Sequence, residues 1–513
     1  MSQSDSNILI GHLIQSFRQT RNQSQEGLSS SLQIPLEDLK NIESGNLQPD
    51  SILVNQITEQ LSLPESRPKS IDFEVTGGQT LSGSIKTNYS KNGAMGLLCA
   101  SLLNSGQTTL HGIPRIEEVN RMLEIMESVD INCNWTGPNT LVIKMPSKLN
   151  LDKLNRQSAI KTRSIIMFIG SLIHILDNFA IPHAQGCDLG KRTINPHFFA
   201  LQELGVKIKV TDNDYLVTSP KKTNNSKRST PIVMYEASDT GAEIILMAAA
   251  RIPGRTIIKF TSANYMVQEV CLFLVACGVR VEGIGSSTLI VHGVAQINQE
   301  IEYHNSEDPI ESMMLISAAI CTNSELLIQA CPIDFLSLEL LKLSKMGFKY
   351  KLGKVYKAAN GWTNLVDITT LAALDSAKPY LQSLPDKISC GPYPAINIDN
   401  LPFFVPIAAM ATGTTLIHDW VFENRAIYFT ELNRLGAKIS LADPHRVFVE
   451  GPTKFKAAQV TCPPALRPAM IILIGMMAAE GTSTLHNVYS IERGYEDIAN
   501  RLNQIGAKIR VLK

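Results

Sequence analysis

The 513-residue sequence contains no run of eighteen or more apolar residues, so nothing in it reads as a membrane-spanning helix. It lacks an excess of either charge. Its 47 Lys and Arg balance 47 Asp and Glu, so no global field draws it to nucleic acid or to an anionic membrane. The nine cysteines are odd in number, scattered and without a Cys-Xaa-Xaa-Cys pair. That argues against a disulfide framework and a zinc site, and for a reducing cytoplasm. The ten histidines are never spaced like metal ligands, so no metal and no cofactor is expected. The polar start Met1-Ser2-Gln3-Ser4-Asp5 does not read as a signal peptide. What remains is ordinary globular composition, 44% hydrophobic and 18% charged, in a chain long enough for two or three domains.

One motif recurs: an apolar helix end, a glycine, then an alternating strand. It reads Glu203-Leu204-Gly205-Val206-Lys207-Ile208 and returns around Gly278, Gly347, Gly436 and Gly506. The glycine supplies the left-handed backbone that stops a helix. A weaker sixth copy, Ser128-Val129-Asp130-Ile131, has lost it. Further strands are announced by Gly106-Gln107-Thr108, Gly254-Arg255-Thr256, Gly413-Thr414-Thr415 and Gly481-Thr482-Ser483. Six copies of one α/β unit bound the fold class. The widest gap, 89 residues between Gly347 and Gly436, contains Lys354 to Pro385, which reads as an inserted, more polar excursion.

Residues 1–66 stand apart, with helical spacing from Ile8 to Gln19, a short helix after Ser24, another over 34–43 and a last one from Ser51 to Leu61. Ser24-Gln25-Glu26 and Ile42-Glu43-Ser44-Gly45 resemble the helix-turn-helix domain of phage-type repressors, which implies a DNA or protein partner. Only Arg18, Arg21 and Lys40 are basic here, against eight acidic residues. Glu37 and Asp38 fall in the first turn of the would-be recognition helix. Both facts count against DNA, whose nonspecific binding rests on Lys and Arg. Residues 67–71 read as a linker.

Four passages then converge. They are Asn88-Tyr89-Ser90-Lys91-Asn92-Gly93-Ala94-Met95, Gly186-Cys187-Asp188-Leu189-Gly190-Lys191-Arg192, Val421-Phe422-Glu423-Asn424-Arg425 and Ile491-Glu492-Arg493-Gly494-Tyr495-Glu496. In this order they resemble the enolpyruvyl transferases, and among them the branch that acts on UDP-N-acetylglucosamine. The resemblance covers about Ile71 to Lys513. It implies a two-lobed, inside-out α/β barrel of six units, with one lobe from 72–90 and 301–513 and the other from 91–300. It also implies phosphoenolpyruvate and UDP-N-acetylglucosamine as partners.

By the same resemblance, Lys91, Arg192 and Arg493 would face the phosphate, and Arg467 and Arg493 the carboxylate. Cys187 would be the loop acid, its thiol acidified by Lys191 and Arg192. Asp399 would be the base at the sugar hydroxyl and Asn92 a sugar-amide contact. Arg163 and Arg425 would be further cleft arginines, and Asn195 would stand where the family has a uracil-binding acid. Read without the family, Lys91 is a helix cap, Asp399 a turn residue, and Arg425 and Arg493 surface partners of Glu423 and Glu492. The departures from the family pattern cluster: Ala465 replaces an acid at the reacting centre, and at the acceptor side Ala237 and Asp239 stand where a Lys and a small hydroxyl residue are usual. A transferase with a different acceptor, or a ligand-sensing regulator without catalysis, therefore stay open.

Overall fold

The computed structural model describes residues 15, 18, 24–32, 34–44, 46–47, 71–184, 194–220, 230–373 and 380–512. The chain divides into Met1–Ser70 with Lys513, and Ile71–Leu512.

In the first unit, the helices Gln25–Leu32 and Leu36–Glu43 flank Pro35 and bury Leu28, Leu32, Leu39 and Ile42. Ser24 caps the first helix, its hydroxyl accepting from the Gly27 amide at 3.0 Å. Glu43 is buried, paired to Arg18 at 2.6 Å and accepting from Gln25 at 2.7 Å. One of the segment's three basic residues is thereby spent on an internal ion pair. The helices expected at 8–19 and 51–61 lie outside the described residues, Gln15 and Arg18 excepted.

In the second unit the repeat is physical. The five glycines take φ between 83° and 103°, and Asp130 adopts φ 66° in the sixth copy. Asp tolerates that left-handed backbone better than most side chains, so the turn survives the loss of glycine. Among the described residues the strands form six separate sheets. In five of them a short strand runs parallel to the central strand, and an antiparallel pair completes the sheet. Among the described residues no sheet closes on itself, so the barrel expectation reduces to six open sheets with intervening helices.

Three sheets come from residues 107–304, and three from 72–86 with 327–512. The first strand, Asp72–Gly77, pairs with both Gly481–His486 and Ile509–Leu512 and so completes the last unit. Helices apolar all round fill the interior, as such helices must. Every residue of Pro309–Cys321 is buried, and that helix packs on Phe404–Met410 and Leu466–Ala478. In the other group Lys91–Ser101 packs on Tyr265–Ala276, which packs on Asp239–Ala250.

The segment expected to be an inserted excursion, 354–385, instead contributes a strand to a sheet. Asn364–Thr370 pairs with Leu327–Pro332 and Tyr350–Leu352, so it is an internal strand of a five-stranded sheet. Its polar alternation, Asn364-Leu365-Val366-Asp367-Ile368-Thr369-Thr370, reflects partly exposed positions on the sheet.

Candidate active site

The chain crosses between the two groups of sheets twice, and the crossings are bonded to each other. The Ser90 amide donates to the Ser306 carbonyl and the Asp308 amide to the Asn88 carbonyl, each at 2.8 Å. Ser90 caps the helix Lys91–Ser101, accepting from the Gly93 amide at 2.9 Å. A Cβ at Gly93 would collide with the Asn305 side chain, whose Nδ2 ties the Ser90 and Gly112 carbonyls at 2.9 Å each. Asp308 caps the next buried helix, and burial pushes its carboxyl up to about 6 although Arg467 pulls the other way. Lys91 therefore begins a buried helix, where a cation opposes the helix dipole. Nothing local favours a lysine there.

Other elements deliver the partners of Lys91. Burial lowers its pKa, as do Arg467 and Arg493, while Glu118 and Asp399 support its charge. Glu118, in the first turn of Glu117–Ser128, accepts from Arg493 at 2.9 and 3.2 Å and from the Thr162 hydroxyl at 2.7 Å. Burial would raise its pKa, but Lys91 and Arg493 outweigh that and hold it below the usual range. Arg467, in the first turn of Leu466–Ala478, donates to Asp399 Oδ2 at 3.3 and 3.4 Å and to the Tyr495 hydroxyl at 2.7 Å. Asp399 is likewise held low, because Arg467, Arg425 and Lys91 together outweigh burial. Its side chain keeps 28% exposure, and that of Arg493 24%, so this cluster is open to a ligand. Lys91, Asp399, Arg467 and Arg493 thus share one site, drawn from four separate segments. Among the described residues Arg425 pairs with Asp419 and Asp399 and Arg493 with Glu118, not with Glu423 and Glu492.

Arg425, expected as a cleft arginine, is held by protein groups. It is 1% exposed, pairs with the fully buried Asp419, donates to the Ile398 carbonyl at 2.6 Å and lies over the Phe422 ring. From there it braces Asp399 at 3.5 Å. The guanidinium is thus enclosed by protein groups on the side of Asp399.

Beyond Asp399 the cleft opens into a cavity of about 530 Å³ between the two groups of sheets. Arg163, His197, Asp239, Ile398, Trp420 and Phe422 are among its walls. Arg163 and Asn195 also line a side cavity of about 250 Å³. Asp239 begins the helix Asp239–Ala250, capped by Ser238, and accepts from the Ser262 hydroxyl and from Asn264 Nδ2 at 3.0 Å. Burial pushes its carboxyl up, and those two bonds oppose the shift. Ala465, the helix cap before Arg467, offers no capping group and packs on Phe422. Asn92 donates to the Tyr265 hydroxyl at 3.1 Å. Asn397 reaches across to Asn264 at 3.3 Å, a direct bond between the two groups.

Cys187 and Arg192 lie outside the described residues. The eight described cysteines are all buried, and burial pushes six of the thiols up to about 12, Cys390 and Cys462 among them. None of the eight is a candidate nucleophile. Sequence reasoning missed Glu118, Asp308, Asp419 and Tyr495. Only Tyr495 stood in a quoted motif; the carboxylates look like ordinary helix-start and loop acids.

The family model for EPSP synthase (3-phosphoshikimate 1-carboxyvinyltransferase) matches residues 75–502. The chain is 34% identical over 440 residues to a UDP-N-acetylglucosamine 1-carboxyvinyltransferase of Bradyrhizobium diazoefficiens, covering 86% of this chain and 98% of that one. It is 31% identical to the protein of that name from Treponema denticola, over 86% of this chain and 99% of that one. Among solved structures, the enolpyruvyl transferase NikO from Streptomyces tendae superposes with a TM-score of 0.70 at 22% identity, covering 87% of this chain and 99% of that one. The EPSP synthase of Acinetobacter baumannii superposes at 0.67 and 17%, covering 86% and 100%. At such identities these two show the fold alone.

Proposed function

We propose that this chain, which belongs to the enolpyruvyl transferase family, moves the enolpyruvyl group of phosphoenolpyruvate onto the 3'-hydroxyl of UDP-N-acetylglucosamine and releases phosphate. The observation that carries this is the convergence of Lys91, Arg467 and Arg493 beside the ionised Asp399. Phosphoenolpyruvate brings a phosphate and a carboxylate, and a compact group of cations with limited water access suits both.

The chemistry follows by addition and elimination. Asp399 takes the acceptor hydroxyl's proton as that oxygen bonds C2 of phosphoenolpyruvate, while the Cys187 thiol protonates C3. The ketal then returns a proton from C3 to the Cys187 thiolate as the C2–O bond to phosphate breaks, and phosphate leaves. In the free protein the cations that hold Asp399 low are partly neutralised by it. An incoming dianion competes for those cations, so Asp399 becomes a stronger base once phosphoenolpyruvate is bound. Arg163, Asn195 and the cavity beyond Ile398 take the nucleotide sugar, and Asn92 faces its amide.

A different acceptor is the second reading. It rests on Ala237 and on Asp239, which puts a carboxylate into the wall of the acceptor cavity. Phosphate release from phosphoenolpyruvate with UDP-N-acetylglucosamine, then with a panel of other hydroxyl acceptors, decides between them. Turnover with UDP-N-acetylglucosamine alone supports the first reading; turnover only with another acceptor replaces it, and none with any acceptor overturns both. For the N-terminal unit a protein contact fits better than DNA, since Arg18 is consumed by Glu43. Salt-dependent binding of the full chain to duplex DNA would contradict that.

A further inference from the structure

Away from the cleft, two strands carry an arrangement that the sequence spacing conceals. His111 ends Gln107–His111, His304 ends Ile301–His304, and the parallel register sets the two side by side. Glu302 lies two residues before His304 and therefore on the same face of its strand. Its Oε1 meets His111 Nε2 at 2.8 Å, and the two imidazoles stack with centroids 4.3 Å apart. The ligating atoms of all three side chains fall within 4.8 Å of one another. On the other flank, the Thr140 hydroxyl stands 3.1 Å from His111 Nδ1.

We propose that His111, His304 and Glu302 form a binding site for a first-row divalent cation of the zinc class, with water completing its coordination. Two imidazole nitrogens and one carboxylate oxygen are the donor set that such ions prefer, in a number that leaves one position open. Thr140 supplies what a metal-bound histidine needs at its other nitrogen, an oxygen that accepts its N–H and fixes its orientation. The ion replaces the proton between His111 Nε2 and Glu302. The stacked rings are only 17° from parallel, so one imidazole must turn about its side-chain bond to aim its lone pair. Both rings are partly exposed and can do so. The expectation of no metal rested on spacing along the chain, and His111 and His304 are distant there.

The position gives the site a consequence. The Asn305 amide donates to the His111 carbonyl at 2.9 Å, and its side chain ties Ser90 and Gly112, so the clasped strands feed directly into the crossover. A bound ion would clasp the strand that leads into the crossover.

The test uses the full chain, freed of metal with a chelator and titrated with Co²⁺. We expect one equivalent to give the visible bands of four-coordinate cobalt with nitrogen donors, and Zn²⁺ to displace it. His304→Ala should abolish the bands, and Thr140→Val should weaken binding by about tenfold. Glu302→Gln, at a side chain 71% exposed and harmless to folding, should weaken it as well. No stoichiometric cobalt binding, or binding equal in the wild type, His304→Ala and Glu302→Gln, would overturn the assignment.

Discussion

At one end of the cleft Lys91, Arg467 and Arg493 meet Asp399 and Glu118, while at the other Arg163 stands near Glu236 and Asp239 with the uncharged Ala237 beside it. The first end is a compensated ionic cluster. Its carboxylates sit below their usual range because fixed cations outweigh burial. At the second, burial lowers the pKa of Arg163 and raises that of Asp239. The lesson is one of specialisation. A small dianion needs a cluster assembled in advance, whereas a large acceptor can be held by shape and a few polar contacts.

The largest expected effect comes from breaking the cationic end. Lys91→Met keeps the bulk of a side chain that burial already disfavours as a cation, so the fold should persist. It should lower kcat/KM for phosphoenolpyruvate by about 10²–10³-fold, as loss of one preorganised electrostatic group does. Steady-state phosphate release measures this, and a change under threefold would remove Lys91 from the mechanism.

Asp399 comes next. If phosphoenolpyruvate takes over its cations, the acid limb of kcat should lie at higher pH than that of kcat/KM, and Asp399→Asn should lose about 10²-fold or more. Coincident limbs in the two pH profiles would contradict the coupling.

The other end should respond weakly and differently. Ala237→Lys adds a cation to the acceptor cavity and should lower the acceptor KM several-fold, worth about 1 kcal/mol, leaving the KM for phosphoenolpyruvate unchanged. Equal changes in both would erase the distinction between the ends.

The smallest effect concerns a buried carboxyl without a cation. Glu269 accepts from the Tyr303 hydroxyl at 2.9 Å, and burial pushes it up to about 7. A folded pKa above the unfolded one means that the folded state holds the proton longer. Its contribution to stability is complete below about pH 4.5 and is lost as pH rises through 7. Glu269→Gln should remove that fall, so urea midpoints of the variant and wild type should separate in the variant's favour between pH 5 and 8.

The repeat was legible because a helix-stopping glycine is a backbone requirement, and the chain writes it five times. Even Asp130 could be placed, since the flanking pattern persisted. The strand Asn364–Thr370 was not legible, because its partly exposed positions carry Asn, Asp and Thr and resemble a loop. At the site, the cations and Asp399 could be read from family motifs. Their counter-charges could not: Glu118 and Asp419 act through tertiary contacts that leave no mark on spacing. Arg425 was legible as a motif residue, but its enclosure by Asp419, Ile398 and Phe422 was not.

Everything proposed for the cleft requires that the cluster around Lys91, Arg467 and Arg493 bind phosphoenolpyruvate. Calorimetric titration of phosphoenolpyruvate into the wild type and Lys91→Met, without acceptor, tests it most directly. Saturable binding in the wild type should fall by at least tenfold in the variant. Equal affinity in both proteins would contradict it.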